Sequence, residues 1–135
     1  MSSLTATATA LAAASPTILV IEDHSDTREM LSVLLRTRGY NVIEAQDGPD
    51  GVSKALGSVP DLIIMDLALP EMDGVEAARR IHETPELSDV PIFVVSAYLT
   101  KDVWTDVCEA GCVEMFSKPF DFDSLLEAIN VTLKA

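Results

Sequence analysis

The chain has 135 residues, of which 48% are apolar and 5% aromatic, and its formal net charge at pH 7 is −13. The length predicts one domain, and the apolar content predicts a buried core rather than a disordered chain. The acidic charge argues against direct binding to nucleic acid or to an anionic membrane surface, since both reward clustered Lys and Arg. No apolar run approaches the ~18 residues of a membrane span, so we expect a soluble protein.

The first sixteen residues are uncharged and consist mainly of Ala, Thr and Ser. Thr5, Thr7 and Thr9 interrupt the apolar stretch that a secretory signal requires, and the absence of arginine there argues against a mitochondrial leader. We therefore expect residues 1–16 to be a flexible tail and residues 17–135 to be the folded domain of a cytoplasmic protein.

Cys108 and Cys112 are the only cysteines of the chain. No second pair and no nearby His accompanies them, so neither a zinc site nor a disulfide framework is indicated. Because free Cys is among the most buried residue types, we expect two reduced, buried thiols.

Five short apolar runs predict the strands of a sheet. Three of them carry almost no polar residues, which is typical of parallel strands buried on both faces. The predicted strands are residues 17–21, 41–45, 61–65, 91–95 and 112–116.

Segments with helical periodicity separate these strands. Ser25 is the predicted N-cap of the first helix, and Gly39 is its left-handed end. A fourth helix is predicted between Thr100 and Gly111. The apolar stripes that predict the other four helices are, in chain order, Met30, Leu31, Leu34 and Leu35; Val52, Ala55 and Leu56; Val75, Ala78 and Ile81, after the cap Asp73; and Leu125, Leu126, Ile129 and Leu133, after the cap Asp121. Five strands alternating with five helices predict a three-layer, doubly wound α/β domain.

Polar side chains follow the carboxyl ends of four predicted strands, and such ends form the ligand-binding edge of a doubly wound sheet. Each residue alone has an ordinary explanation, such as a turn or a solvated tip. Three carboxylates together repel one another unless a cation lies among them, and Mg²⁺ suits such oxygen ligands. The residues are Glu22 and Asp23 after the first strand, Asp66 after the third, Ser96 after the fourth and Lys118 after the fifth.

A lysine and a hydroxyl at the same edge are the groups that position and neutralise a transferring phosphoryl group. If Glu22 and Asp23 serve the metal, Asp66 remains as the nucleophile that would become an aspartyl phosphate.

The sequence resembles the receiver domain of bacterial two-component response regulators over residues 17–133. The resemblance implies a flavodoxin-like parallel sheet of strand order 2-1-3-4-5 with five helices. The motifs that carry it are Glu22-Asp23, the stretch from Met65 to Gly74, Ser96-Ala97 and the stretch from Phe116 to Phe120.

The resemblance also implies a role for each matching residue. Asp66 is the expected phosphoacceptor, with a sensor histidine kinase or a phosphotransfer protein as donor, and the Lys118-Pro119 peptide bond is expected to be cis. The expected Mg²⁺ ligands are Asp23, Asp66, the backbone carbonyl of Ala68 and, through water, Glu22, whereas Ser96 and Lys118 are expected to hold the phosphoryl oxygens.

Two positions depart from the family pattern. The acidic pair is more often Asp-Asp, so Glu22 brings one extra methylene. Met115 stands where the family usually has an aromatic residue that swings inward on phosphorylation, and Phe116 is expected to point the opposite way. These departures keep open a second function, a pseudo-receiver that binds partners without phosphorylation.

Trp104 is a candidate interaction residue. Val103 and Val107 form one helical stripe, and Trp104 lies about 100° around the helix from Val103. It therefore packs at the rim of the core or belongs to an interaction surface. In receiver domains the face of helix four, strand five and helix five meets partners or a second copy, so we expect an unknown downstream protein or a homodimer there.

Two enzymatic or carrier functions fit less well. A phosphatase of the haloacid dehalogenase type has a D-x-D motif, but Ala68 stands at its second position, and the acidic pair would repel the phosphate of a flavin. His24 and His82 are expected to be loop and surface residues. The prediction is a stand-alone receiver that is not an enzyme, assists its own Mg²⁺-dependent phosphorylation and dephosphorylation, and acts by protein-protein interaction.

Overall fold

Strands and helices alternate along the part of the chain that the computed structural model describes, residues 15–69, 73–97 and 101–134. The elements are β1 (Thr17–Ile21), α1 (Ser25–Thr37), β2 (Asn41–Ala45), α2 (Gly48–Ser58), β3 (Leu62–Asp66), α3 (Gly74–Glu83), β4 (Ile92–Ser96), α4 (Lys101–Glu109), β5 (Glu114–Ser117) and α5 (Phe122–Lys134). A short 3₁₀ helix, Pro85–Leu87, follows α3.

The five strands form one parallel sheet in the order β2-β1-β3-β4-β5. Ile21 pairs with both Ala45 and Met65, and Ser96 pairs with Ser117, so the carboxyl ends of the strands meet at one edge. The strand order reverses between β1 and β3, which opens a crevice outside their carboxyl ends. The predicted fold class and strand order are confirmed.

Helices cover both faces of the sheet, and each face has its own hydrophobic cluster. This double burial explains the nearly uninterrupted apolar runs of the central strands. One cluster joins Leu19, Ile21, Ile63 and Met65 to Ala55 of α2, Ala78 and Ile81 of α3 and Val107 of α4. The other joins Ile18, Val20, Leu62 and Ile64 to Leu31 and Leu35 of α1 and to Leu125 and Ile129 of α5.

The strand predictions were accurate to within two residues at each end. The bounds of β1 and β2 are as predicted, whereas β3 and β4 each begin and end one residue later. The start of β5 at Glu114 differs most from the prediction of residue 112. The Cys112 backbone N–H closes the end of α4 by donating to the Val107 carbonyl at 3.1 Å, so Cys112 belongs to the helix terminus.

The residues predicted to begin or end helices were correct at four helix termini and wrong at one. Asp73 and Asp121 accept hydrogen bonds from the backbone N–H groups of Glu76 and Ser124, and Gly39 and Gly111 have φ of 94° and 99°. Ser25 is the first residue of α1 rather than its cap, because the N-cap position belongs to His24, which makes no side-chain capping bond. Thr100 lies outside the described residues.

The two cysteines differ in exposure, which corrects the prediction that both are buried. Cys112 is 6% exposed, and burial, followed by the nearby Cys108, raises its pKa to about 12. Cys108 is exposed and lies one helical turn after Trp104, so both side chains face the solvent side of α4. Within the ranges described, no helix is both long and apolar enough to cross a lipid bilayer.

Residues 15 and 16, which precede β1, are hydrogen-bonded to Asn41, the first residue of β2. Its backbone N–H donates to the Pro16 carbonyl at 2.9 Å and its side-chain amide to the Ser15 carbonyl at 3.1 Å. Ser15 and Pro16, the last two residues of the expected tail, are therefore hydrogen-bonded to the edge strand β2.

Gly74 lets the first turn of α3 pack against the chain that leaves β3. A Cβ atom at this position would lie 2.7 Å from the Asp66 carbonyl oxygen and 2.7 Å from the Leu67 Cα. Both neighbours are backbone atoms, which cannot move aside as a flexible side chain would. The backbone of Asp66 is therefore held against the start of α3.

We expect Gly74→Ala to lower the free energy of unfolding by about 1–3 kcal/mol, because the added methyl group collides with backbone. Gly57→Ala in α2 is the matched control, since a Cβ there has no atom within 4 Å. The control should be neutral or more stable by about 0.5–1 kcal/mol. Urea unfolding measures both, and equal midpoints for Gly74→Ala and the wild type would show that the turn has room for a side chain.

Candidate functional site

The predicted site residues lie at the edge of the sheet where the carboxyl ends of the strands meet. Glu22 and Asp23 directly follow β1, Asp66 ends β3, and Ser96 ends β4. Lys118 directly follows β5, and its backbone N–H donates to the Ser96 carbonyl at 2.8 Å. The parallel register therefore brings together residues that are far apart in the sequence.

Lys118 links two buried carboxylates. Its Nζ lies 2.7 Å from Asp66 Oδ2 and 2.9 Å from Glu22 Oε1, and these side chains are only 5% and 2% exposed. Burial lowers the pKa of Lys118, but the hydrogen bonds to Asp66 and Glu22, together with the negative charges of these two groups, outweigh burial and raise that pKa overall. The ammonium group therefore stays charged and compensates two acidic groups that have little contact with water.

The second oxygen of the Asp66 carboxylate is also held. Its Oδ1 accepts a hydrogen bond from the Ala68 backbone N–H at 3.0 Å, within the turn after β3. With Lys118 on Oδ2, both oxygens have a donor. The carboxylate at the end of the central strand thus has one defined orientation.

Glu22 uses its longer side chain to contact both Lys118 and His24. Its Oε1 faces Lys118, and its Oε2 lies 3.2 Å from both the backbone N and the Nδ1 of His24. This hydrogen bond, followed by the charge of Asp23, raises the pKa of His24, whose side chain is 72% exposed. His24 is a loop and surface residue, as predicted, and its position directly after the acidic pair was the available signal for its contact with the site.

Asp23 carries an oxygen whose bonding capacity is unused. Its Oδ1 is buried and accepts no hydrogen bond from any residue that the structure describes, although His24 Nδ1 lies 3.3 Å away. One ligand atom from each of Glu22, Asp23, His24 and Asp66 can be chosen so that all lie within 4.8 Å of one another. A buried carboxylate oxygen without a donor suits a hard divalent cation, so the residues present fit a Mg²⁺ ion.

An open cleft of about 490 Å³ lies beside these groups. It is bounded by the turn after β3, the end of β4, and helices α3 and α4, and its lining includes Ala68, Ser96, Arg79 and Asp106. Ser96 lines this cleft and is only 3% exposed. The cleft provides space for a small group next to the turn that holds Asp66.

Met115 and Phe116 face opposite sides of the sheet, as predicted. Met115 is partly buried against the cluster beneath α2, α3 and α4, and Phe116 packs on the other face with its ring centroid 5.9 Å from that of Phe93. Trp104 is 44% exposed on α4, so it is a surface residue rather than a core residue. The Lys118-Pro119 peptide bond is cis, as the resemblance implied.

Comparison with known proteins gives consistent matches. A sequence model of the response regulator receiver domain matches residues 18–130. The protein PilH of Pseudomonas aeruginosa is 33% identical over 119 residues, which cover 86% of this chain and 96% of PilH. The chemotaxis protein CheY of Bacillus subtilis is 36% identical over 117 residues, with the same two shares.

Solved structures show the same likeness. The chemotaxis protein CheY4 of Vibrio cholerae superposes with a TM-score of 0.85 at 27% identity, over 89% of this chain and all of that one. The receiver domain of a sensor histidine kinase from Pseudomonas aeruginosa gives a TM-score of 0.83 at 29% identity, over 90% of this chain and all of that one. That structure has a magnesium ion coordinated in its active site cleft.

We expect Lys118→Met to lower the free energy of unfolding by about 2 kcal/mol in metal-free buffer, because Glu22 and Asp66 would lose their shared cation. The loss is smaller than for a fully buried pair, since the Lys118 side chain is 23% exposed. Lys54→Met is the matched control, because its ion pair with Asp50 and its hydrogen bond to the Glu44 carbonyl are much more exposed and should together contribute about 0–1 kcal/mol.

Urea unfolding of the three proteins measures this difference. Adding Asp66→Asn to Lys118→Met should restore part of the lost stability, since the double variant buries one charge fewer. Equal losses in Lys118→Met and Lys54→Met would contradict the structural assignment of Lys118 as the cation that two buried acids share.

Proposed function

The chain belongs to the response regulator receiver domain family of two-component signal transduction, and from that premise we propose that Asp66 accepts a phosphoryl group from a sensor histidine kinase or a phosphotransfer protein. The observation that carries this proposal is the surroundings of Asp66, which is 4% exposed, while Ala68 of the turn that follows it and Ser96 of β4 line an open cleft. Lys118 holds one of its oxygens and Ala68 the other. Such a fixed carboxylate suits attack on phosphorus.

The acidic side chains support a Mg²⁺ site next to this acceptor. We assign Asp23, Asp66 and the Ala68 carbonyl as direct ligands, since Asp23 Oδ1 has no hydrogen-bond donor among the described residues. We assign Glu22, whose Oε1 lies 2.9 Å from Lys118 Nζ, as a ligand acting through water. When bound, Mg²⁺ would neutralise charge on the carboxylates and on the phosphoryl oxygens.

The residues of this chain account for the transfer itself. A carboxylate oxygen of Asp66 forms the new bond to phosphorus, while the bond from phosphorus to the histidine nitrogen of the donor breaks and its electron pair stays on that nitrogen. The ammonium group of Lys118, which lies 2.7 Å from Asp66 Oδ2, pairs with a phosphoryl oxygen as negative charge moves there from the carboxylate. Ser96 donates its hydroxyl to another phosphoryl oxygen. The chain thus assists its own phosphorylation. It also assists its own dephosphorylation, in which the oxygen of a water molecule bonds to phosphorus while the bond from phosphorus to the Asp66 oxygen breaks and its electron pair returns to the carboxylate.

The proposed output is protein-protein interaction on the face formed by α4, β5 and α5. Trp104 supplies a half-exposed aromatic side chain on α4, and such residues are enriched in binding hot spots. The partner would be a downstream protein or a second copy of the chain. We further propose that residues 17–135 form the receiver, that residues 1–16 are a tail and that the protein acts in the cytoplasm.

Incubation with acetyl phosphate and Mg²⁺ should add one phosphoryl group to the wild type, as measured by intact mass. Asp66→Asn should add none, because the amide cannot act as the nucleophile, and chelation of Mg²⁺ should abolish the adduct in the wild type. Asp61→Asn is the matched control, since Asp61 is exposed and lies at the opposite end of β3. An adduct on Asp66→Asn equal to that of the wild type would refute Asp66 as the acceptor.

We expect beryllofluoride with Mg²⁺ to change the fluorescence of Trp104, which is the only tryptophan. The physical reason is that α4 follows Ser96 after a short connection, so movement of Ser96 toward the phosphoryl mimic displaces the helix. Asp66→Asn should show no change at the same concentrations. Unchanged emission together with no phosphoryl adduct in the wild type would instead support the pseudo-receiver, which binds partners without phosphorylation.

A further inference from the structure

Arg28 on α1 contacts the backbone beside the proposed metal site. Its Nη1 donates to the Glu22 carbonyl oxygen at 2.7 Å, and its side chain is only 17% exposed. Glu22 itself is 1% exposed, so its carbonyl is removed from water and needs a donor within the protein. Arg28 supplies that donor.

The same peptide segment is held from the other side by β2. The Glu22 backbone N–H donates to the Ala45 carbonyl at 3.0 Å. Because each peptide unit is planar, a bond to the Glu22 carbonyl also orients the nitrogen and Cα of Asp23. Arg28 therefore acts on the peptide that joins the two acidic residues of the site.

Glu44 of β2 holds the guanidinium group in place. Its Oε1 lies 3.4 Å from Arg28 Nε, and its Oε2 lies 3.5 Å from Arg36 Nη2. Lys54 donates to the Glu44 backbone carbonyl at 2.6 Å, which anchors the Glu44 main chain to α2. A planar guanidinium has donors pointing in several directions, so Arg28 can bind Glu44 and Glu22 at once, whereas a lysine ammonium on a flexible stem is less suited to that geometry.

We propose that Arg28 is a positioning residue for the divalent-cation site. Through its bond to the peptide between Glu22 and Asp23, Arg28 sets the directions of these two side chains. This inference rests on the Mg²⁺ site proposed above and assigns a residue that the site motifs do not contain. Outer groups that orient metal ligands commonly change metal affinity by ~10–100-fold when they are removed.

Because Arg28 is positively charged, the direction in which its removal changes Mg²⁺ affinity tests the proposal. A positive group near a cation site disfavours the cation, so its removal would tighten Mg²⁺ binding if charge alone mattered. Loss of positioning has the opposite effect, because Asp23 Oδ1 would no longer be held where a cation can use it. Weaker binding after removal of a positive charge therefore identifies positioning.

The experiment is calorimetric titration of the metal-free full chain with Mg²⁺ alone, for the wild type, Arg28→Gln and Arg36→Gln. Arg28→Gln should raise the Kd by about tenfold or more, and Arg36→Gln should leave it within about twofold. Arg36→Gln is the matched control, since Arg36 also pairs with Glu44 from α1 but donates to the Val42 carbonyl and not to Glu22. Circular dichroism confirms that each variant is folded at the titration temperature.

Arg28→Lys provides a second variant that keeps the charge and is a smaller change to the fold. It should also raise the Kd for Mg²⁺, and the backbone amide resonances of Asp23 and His24 should shift in its metal-free spectrum. A Kd within twofold of the wild type for both Arg28 variants, or tighter binding by Arg28→Gln, would overturn the positioning role while leaving the Mg²⁺ site intact. Absence of Mg²⁺ binding by the wild type would overturn the site and this inference together.

Discussion

Two carboxylates that the sheet removes from water share one ammonium group, and the arrangement of the site depends on that pairing. Glu22 directly follows β1 and Asp66 ends the neighbouring strand β3, and Lys118 Nζ lies 2.9 Å and 2.7 Å from their carboxylate oxygens. The cation lowers the cost of burying two negative charges side by side. A phosphoryl group arriving at Asp66 would bring further negative charge to the same place, where Lys118 can follow it. The contact that stabilises the resting protein therefore also prepares the proposed transfer.

The fold delivers these groups because its parallel strands end at one edge. Turns at that edge then orient the side chains, as the Ala68 N–H does for Asp66. Gly74 lets α3 approach the backbone of Asp66 to a distance that a side chain would prevent. The doubly wound sheet thus brings the site side chains to one edge, and close backbone contacts at that edge orient them.

A layer of groups behind the acidic residues completes this arrangement. Arg28 joins the Glu22 carbonyl to the side chain of Glu44, and so ties the loop after β1 to β2 and α1. Asp23 keeps an oxygen without a donor among the described residues, while each oxygen of Glu22 has one. The two acidic residues thus differ in how much of their bonding capacity is available, which supports the different metal roles proposed for them.

The sequence by itself determined the fold class and the composition of the site edge. Apolar runs such as Ile18 to Ile21 indicated strands buried on both faces, and polar residues directly after those runs indicated the ligand edge, because both signals are local in the chain. Caps such as Asp73 were readable for the same reason. The N-cap of α1 was not readable from Ser25, because the local sequence does not fix the residue at which a helix begins, and this helix begins at Ser25 itself, after the N-cap His24.

Only the tertiary structure decided which atoms meet. Lys118 and Glu22 are 96 residues apart, and local periodicity contains no information on whether their side chains touch. The exposure of Cys108, the contact between His24 and Glu22, and the bond from Arg28 to a backbone carbonyl were likewise absent from the sequence pattern. These features depend on how each helix is rotated against the sheet and how each loop turns, and those choices are made by packing over the whole domain.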